Sequence, residues 1–328
     1  MHDWVKARQD RFGFGLQVFA LPEDPEPTKH VLRAGLLAEE LGFDAFFIGD
    51  HPGYATEPWI HLAAIAAQTN RIGLGSVVNC VHHRHPAMVA RLAGDMDHIS
   101  HGRFILGLGV GWNEPEFRQL GIPFPPVKER QEALDEALQI ITAMFGPEPV
   151  TIHGKHWWTE GGHYQIPTVQ QPRPPIIIAG SGEKKTLRHV ARYAEACNFG
   201  PGRNVGSVHG AEGIQAKLAV LRRHCEEVGR PYDDILRTYF TSWAMVAPTE
   251  KEAFAKRDRY YPNGLTEEQK ITRIVGSPEQ VAAYYQSVAD AGMQYVVIQV
   301  LDAADEETFR LLGTEVIPNV HLPSSSFS

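Results

Sequence analysis

Apolar residues come in short runs along this chain, and amphipathic or polar segments separate them. Residues 12–20 alternate large apolar side chains with small ones and predict a first strand. Residues 45–50, 71–80, 104–111, 175–180, 197–200, 236–247 and 294–301 continue the series. The pattern predicts helices over 29–41, 57–69, 87–99, 127–145, 183–196, 214–229, 249–260, 278–291 and 306–316. The clearest is 127–145, where Ala133, Leu134, Ala137, Leu138, Ile141 and Met144 recur at spacings of three and four. Local signals set the ends. Thr28 and Ser181 are candidate N-caps, Pro86 suits a first helical position, and Gly42 follows a helix. Prolines make loops of 22–27 and 121–126.

One segment breaks the alternation. Residues 150–167 hold Gly154, Trp157, Trp158, Gly161, Gly162 and Tyr164, the composition of an inserted β-hairpin. Residues 200–213 read as irregular, 262–269 as a polar connection, and the Ser-rich 322–328 as a frayed tail. Each strand candidate is followed by a helix candidate, and no linker divides the series. The expectation is one domain over 1–328: a (β/α)₈ TIM barrel with a hairpin inserted after the fourth unit. A doubly wound sheet is less consistent with so long an alternation.

Composition narrows the function classes. The chain has 328 residues, 43% of them hydrophobic, and 31 Lys and Arg against 39 Asp and Glu, a net charge of −8. An acidic balance argues against nucleic acid as partner. Three separated cysteines with no CxxC suggest neither a disulfide framework nor a structural zinc site. Residues 1–10 are polar, without the apolar core of a secretory signal, and no apolar run approaches a membrane span. A small-molecule enzyme of the reducing cytoplasm is the expectation.

In a barrel, chemistry gathers at the C-terminal ends of the strands. Asp50-His51 follows the second strand and offers an imidazole beside a carboxylate for proton transfer. Gly73 and Gly75 precede Ser76-Val77-Val78-Asn79 on the third strand. They point either to close approach of a bulky group or to packing in a narrow barrel. Gly107, Gly109 and Gly111 end the fourth strand, with Val110 and Trp112 beside them. Their spacing is not the dinucleotide fingerprint, but the backbone N–H groups suit an anion. Ala179-Gly180-Ser181-Gly182 ends the fifth strand ahead of a helix, with Lys184 and Lys185 nearby, and has the character of a phosphate cradle. His82, His83 and His85 invite a metal reading, but adjacent loop histidines rarely converge on one ion, and no partner carboxylate set is evident. Trp157 and Trp158 suit a hairpin or a pocket lid.

Five stretches together resemble the bacterial luciferase-like monooxygenase superfamily: residues 34–44, 71–75, 97–104, 107–112 and 178–182. The resemblance spans nearly the whole chain and implies a (β/α)₈ barrel that binds reduced FMN or the deazaflavin coenzyme F420. It implies a non-prolyl cis peptide at Ser76-Val77 or Val77-Val78 against the ring, with Asn79 just beyond. It implies a phosphate site at Gly109-Val110-Gly111-Trp112 and Ala179-Gly180-Ser181-Gly182. It also implies His51 as the active-site histidine, with Asp50 next to the ring. Residues 111–117 are similar to the F420 branch. The sugar-phosphate dehydrogenases of that branch carry a catalytic Glu where this chain has Trp112, and Glu114 is the candidate replacement.

The leading expectation is F420-dependent hydride transfer to or from a small organic substrate. The alternative is an FMN-dependent monooxygenase that takes O₂ and draws reduced flavin from a partner reductase. A non-catalytic flavin-binding protein and a metal-dependent hydrolase follow. Homodimers or higher homo-oligomers are expected from the resemblance alone.

Overall fold

The computed structural model describes residues 1–53 and 55–323. Eight parallel strands close a barrel: β1 Gly13–Val18, β2 Ala45–Ile48, β3 Gly73–Ser76, β4 Phe104–Gly109, β5 Ile176–Ala179, β6 Ala196–Phe199, β7 Leu236–Val246 and β8 Tyr295–Val300. Neighbours in sequence are neighbours in space, and β8 pairs with β1 to close the ring. This is the expected TIM barrel. The pleat sorts side chains into two cores. Phe47, Ile105, Ile177, Phe240, Tyr295 and Val297 fill the interior, and a larger cluster joins the outer faces to the helices.

The tight interior settles the meaning of the strand glycines. A Cβ on Gly75 would overlap the Ile105 carbonyl oxygen, and one on Gly107 would overlap that of Ser76. Packing between β3 and β4 requires these glycines, whatever the ligand. The expected hairpin is present as Val150–His153 paired antiparallel with Trp158–Gly162. It follows the helix Val127–Met144 of the fourth unit. Glu136 on that helix accepts the N–H groups of Lys155, His156 and Trp157 at 3.0, 2.7 and 2.9 Å, which fixes the turn.

Several local expectations are corrected. The helix Pro27–Glu40 has Glu26 at its N-cap, so Thr28 lies inside the first turn. The fifth-unit helix is Thr186–Tyr193 with Lys185 at its N-cap. Ser181 therefore caps nothing; its hydroxyl donates to the Gly206 carbonyl at 2.8 Å. The third apolar run breaks after Ser76 and resumes as Asn79–Cys80, paired with β4. The polar stretch near 262–269 leads into the helix Glu267–Thr272 and the strand Arg273–Gly276. That strand pairs with β7 beyond a bulge between Ser242 and Ala244, where Trp243 holds φ +53°. The helix Gly210–Val228 starts earlier than the pattern predicts, which shortens the irregular region to a 3₁₀ turn, Arg203–Val205, and its flanks. The helix Asp3–Lys6 was not expected; its Trp4 and Val5 join the barrel interior and close the end opposite the site. The end of the Ser-rich tail lies outside the described residues. Among the described residues, no helix is long and apolar enough to cross a membrane.

Candidate active site

The C-terminal ends of the strands open into two connected spaces. An inner cavity of about 150 Å³ is lined by Asp50, His51, Val77, Val78, Gly109, Val110, Gly111, Trp112, Ala179 and Gly180, among others. An outer cavity of about 920 Å³ lies above it, between Phe19, Trp112, Trp243, Arg203 and Arg273. His51, Trp112, Asn204 and Gln299 border both. The barrel has therefore brought together most of the residues expected from four separate strands. Ser76, Asn79, Ser181 and Gly182 are not part of this lining. Ser76 and Asn79 are buried, and Asn79 donates to the Gly107 carbonyl at 3.1 Å, tying the extension of β3 to β4.

The Val77-Val78 peptide is cis, one of the two bonds expected. Its Val77 carbonyl accepts from Gln17 Nε2 at 2.6 Å, and Gln17 Oε1 accepts from Gln299 Nε2 at 2.7 Å. A carbonyl can only accept, so this order fixes the orientation of both amides.

His51 does not pair with Asp50. Its Nδ1 meets the Glu116 carboxylate at 3.0 and 3.2 Å, while its ring lies edge-on to Trp112 with centroids 5.9 Å apart. Glu116 is 4% exposed and sits on the short helix Glu114–Gln119. Sequence reasoning missed it. The candidate acid it named, Glu114, points outward and pairs with Arg118 at 2.9 Å. A Glu two residues further along a helix that opens directly above β4 was the available signal.

Asp50 instead organises the loop after β3. It accepts from His83 Nδ1 and Arg84 at 3.1 Å each and from the Cys80 N–H at 3.3 Å. Burial alone would raise its carboxyl. The His83 hydrogen bond and the charges of Arg84 and His83 outweigh that and hold it below the ordinary range. Burial likewise disfavours the His83 imidazolium, but Asp50 and Cys80 dominate and push its pKa up to about 10. His82 is the opposite case. Burial, then the positive charge of Arg130, brings it down to about 4. His85 donates from Nε2 to the Trp158 carbonyl at 3.1 Å, and its Nδ1 accepts the Ala87 N–H. The three histidines thus face three different sets of partners.

Asn198 is fully buried on β6, lines the inner cavity, and has neither its amide oxygen nor its nitrogen satisfied by protein among the described residues. An amide in that state is complementary to the alternating C=O and N–H edge of a flavin or deazaflavin pyrimidine ring. The Gln131 Oε1 is also unpartnered, while its Nε2 bonds Thr186 at 3.0 Å. Gly111 and Gly180 hold φ of +77° and +118°, shapes that suit glycine. The lining omits Lys184 and Lys185, so the positive charge expected from them is not at the cavity wall.

Comparison with known proteins agrees with this architecture. The luciferase-like monooxygenase family model matches residues 14–273. An F420-dependent glucose-6-phosphate dehydrogenase of Microbacterium testaceum is 27% identical over 327 residues, covering 88% of this chain and 93% of that protein. The coenzyme F420-dependent tetrahydromethanopterin reductase of Methanopyrus kandleri superposes with TM-score 0.75 at 21% identity, over 94% of this chain and 99% of that one. The monooxygenase RslO1 of Streptomyces bottropensis gives 0.77 at 23%, over 93% and 99%. At such identities the solved structures share the fold. With the family model matched over most of its length, this chain belongs to the luciferase-like monooxygenase family.

Proposed function

We propose that this protein is an F420-dependent oxidoreductase that moves a hydride between the deazaflavin and a small organic substrate. The observation that carries the reading is the His51–Glu116 pair at the junction of the two cavities. The inner cavity would hold the ring, with Asn198 at its polar edge and the backbone near Gly111 and Gly180 toward the phosphate. The substrate would enter from the outer cavity. Bound there, a deazaflavin supplies or accepts hydride at C5. The chain's own task is the proton. His51 gives or takes it at the substrate oxygen, and Glu116 holds the imidazole in one orientation. Trp112 and Phe19 pack on the same ring and help exclude water.

F420 is favoured over FMN because the relative that spans nearly the whole chain is named for it. Its sugar-phosphate substrate is not carried over, because Trp112 stands where the resembling dehydrogenases have their Glu. The second reading, an FMN-dependent monooxygenase fed by a separate reductase, draws on structural neighbours such as RslO1. We also propose a cytoplasmic homodimer, on the resemblance alone, to be checked by light scattering.

Equilibrium binding of F420 and of FMN, each oxidised and reduced, tests the assignment. Binding of F420 alone supports it. Binding of reduced FMN alone transfers the reading to oxygen consumption. Binding of neither overturns both cofactor readings.

A further inference from the structure

Cys80 is the thiol that the proposed reaction does not use, and it lines the inner cavity. Cys197 and Cys225 are sealed in the core, and burial pushes both thiols up, Cys197 to about 11. Cys80 is set differently. A Cβ on Gly111 would lie 2.7 Å from its Sγ, so the sulfur rests directly against the β4 loop. Arg130 grips the same residue by donating to the Gly111 carbonyl, and it also bonds Pro125 and covers the Phe124 ring at 4.1 Å. This guanidinium is almost buried and forms no ion pair with a carboxylate among the described residues. Burial lowers its pKa from the ordinary value, and the neighbouring Cys80 opposes that effect.

A second basic side chain lines the same cavity. The His83 side chain is 4% exposed, lines the cavity, and gives its Nδ1 to Asp50. Its Nε2 is buried with no hydrogen-bond partner among the described residues. A buried imidazole nitrogen left open in a cavity wall awaits a ligand atom. Cys80 thus shares its cavity wall with His83, and Arg130 is held on Gly111, the residue that touches the same sulfur. Reactive cysteines sit in electropositive surroundings of this kind.

We propose that Cys80 is a covalent modification site that captures soft, uncharged carbon electrophiles, in particular conjugated carbonyl compounds, and thereby closes the cofactor cavity. The apolar walls Val77, Val78 and Phe117 suit an uncharged carbon skeleton, and the carboxylates of Asp50 and Glu116 oppose an anionic one. The Sγ electron pair forms a bond to the β-carbon, and the C=C pair moves to the α-carbon. The thiol proton leaves to solvent and the α-carbon takes one back. The addition is redox-neutral and has no leaving group. A thioether in a space of about 150 Å³ occupies the volume assigned to the ring and presses on Gly111.

The test is iodoacetamide labelling of the folded full-length protein at neutral pH, read by peptide mass spectrometry. In this probe reaction the S–C bond forms and iodide leaves. Cys80 is expected to label at least about tenfold faster than Cys197 or Cys225. Saturation with whichever of F420 or FMN binds should slow that labelling, and the labelled protein should lose the same cofactor. Folded Arg130→Met should label several-fold more slowly. Equal rates at the three cysteines, or labelling of Cys80 only in denaturant, would overturn the proposal without any variant. Labelling needs no cofactor, so failure of F420 and FMN binding would remove the functional reading and leave the selectivity result intact.

Discussion

At the scale of single residues, the site depends on a partnership that crosses 65 positions of sequence. His51 and Glu116 meet because β2 and the helix above β4 end at the same barrel mouth. Adjacency in sequence made Asp50 the apparent partner, yet both residues lie in the loop beyond β2, and there Asp50 bonds His83 and Arg84 while His51 bonds Glu116. His51→Ala should lower turnover by about 10²-fold or more, the usual worth of a positioned acid–base group, with cofactor affinity within a few-fold of wild type. Glu116→Gln keeps the shape and a hydrogen bond but removes the charge. It should give a smaller loss in turnover than His51→Ala, because the imidazole keeps a hydrogen-bond partner at Nδ1. Steady-state rates across pH on any substrate found by coenzyme bleaching would check both. Unchanged turnover in His51→Ala would end its proton-transfer role.

At the scale of elements, two contrasts follow from packing. Gly107→Ala forces a methyl into the Ser76 carbonyl, and neither strand can retreat within a closed barrel. A loss of about 3 kcal/mol is expected from such overpacking. Gly161→Ala, at φ +63° in the hairpin with nothing within 4 Å of the new Cβ, meets only backbone strain and should lose about 1 kcal/mol. Urea unfolding of the pair would measure both. Glu136→Gln weakens the acceptor of three N–H groups in the hairpin turn, and amide exchange should quicken at 155–157 while the barrel strands stay protected. These elements also mark what was readable. The eight apolar runs were legible because each barrel strand is buried on both faces and a periodic helix follows it. The strand Arg273–Gly276 was not, because it pairs only with the overhang of β7 and carries an alternating, half-buried pattern in four residues. Ser181 looked like a cap because it follows a strand at the right spacing. Its hydroxyl goes instead to Gly206, a contact made by tertiary packing.

At the scale of the whole molecule, two neighbouring histidines bound the pH range of stability from opposite sides. His83 binds its proton more tightly when folded, up to about 10, than the ordinary 6.5 of the unfolded chain. Its contribution is complete below about pH 6.5 and is lost as pH rises from there toward 10. His82 holds its proton more weakly when folded, down to about 4. Its contribution is complete above about pH 6.5 and is lost as pH falls toward 4, because the unfolded chain takes up the proton first. The two groups therefore place the stability maximum near pH 6.5. They act on one assembly, since His82 packs against Phe117 and Trp157 while His83 also packs against Phe117 and anchors Asp50. Thermal unfolding of wild type, His82→Leu and His83→Gln across this range separates them. His82→Leu should flatten the acid limb and leave the alkaline one. His83→Gln should flatten the alkaline limb and also lower the maximum, because Asp50 keeps Arg84 but loses its imidazolium. A wild-type alkaline limb that survives in His83→Gln would place the titrating group elsewhere and detach the Asp50 cluster from the stability of the barrel mouth.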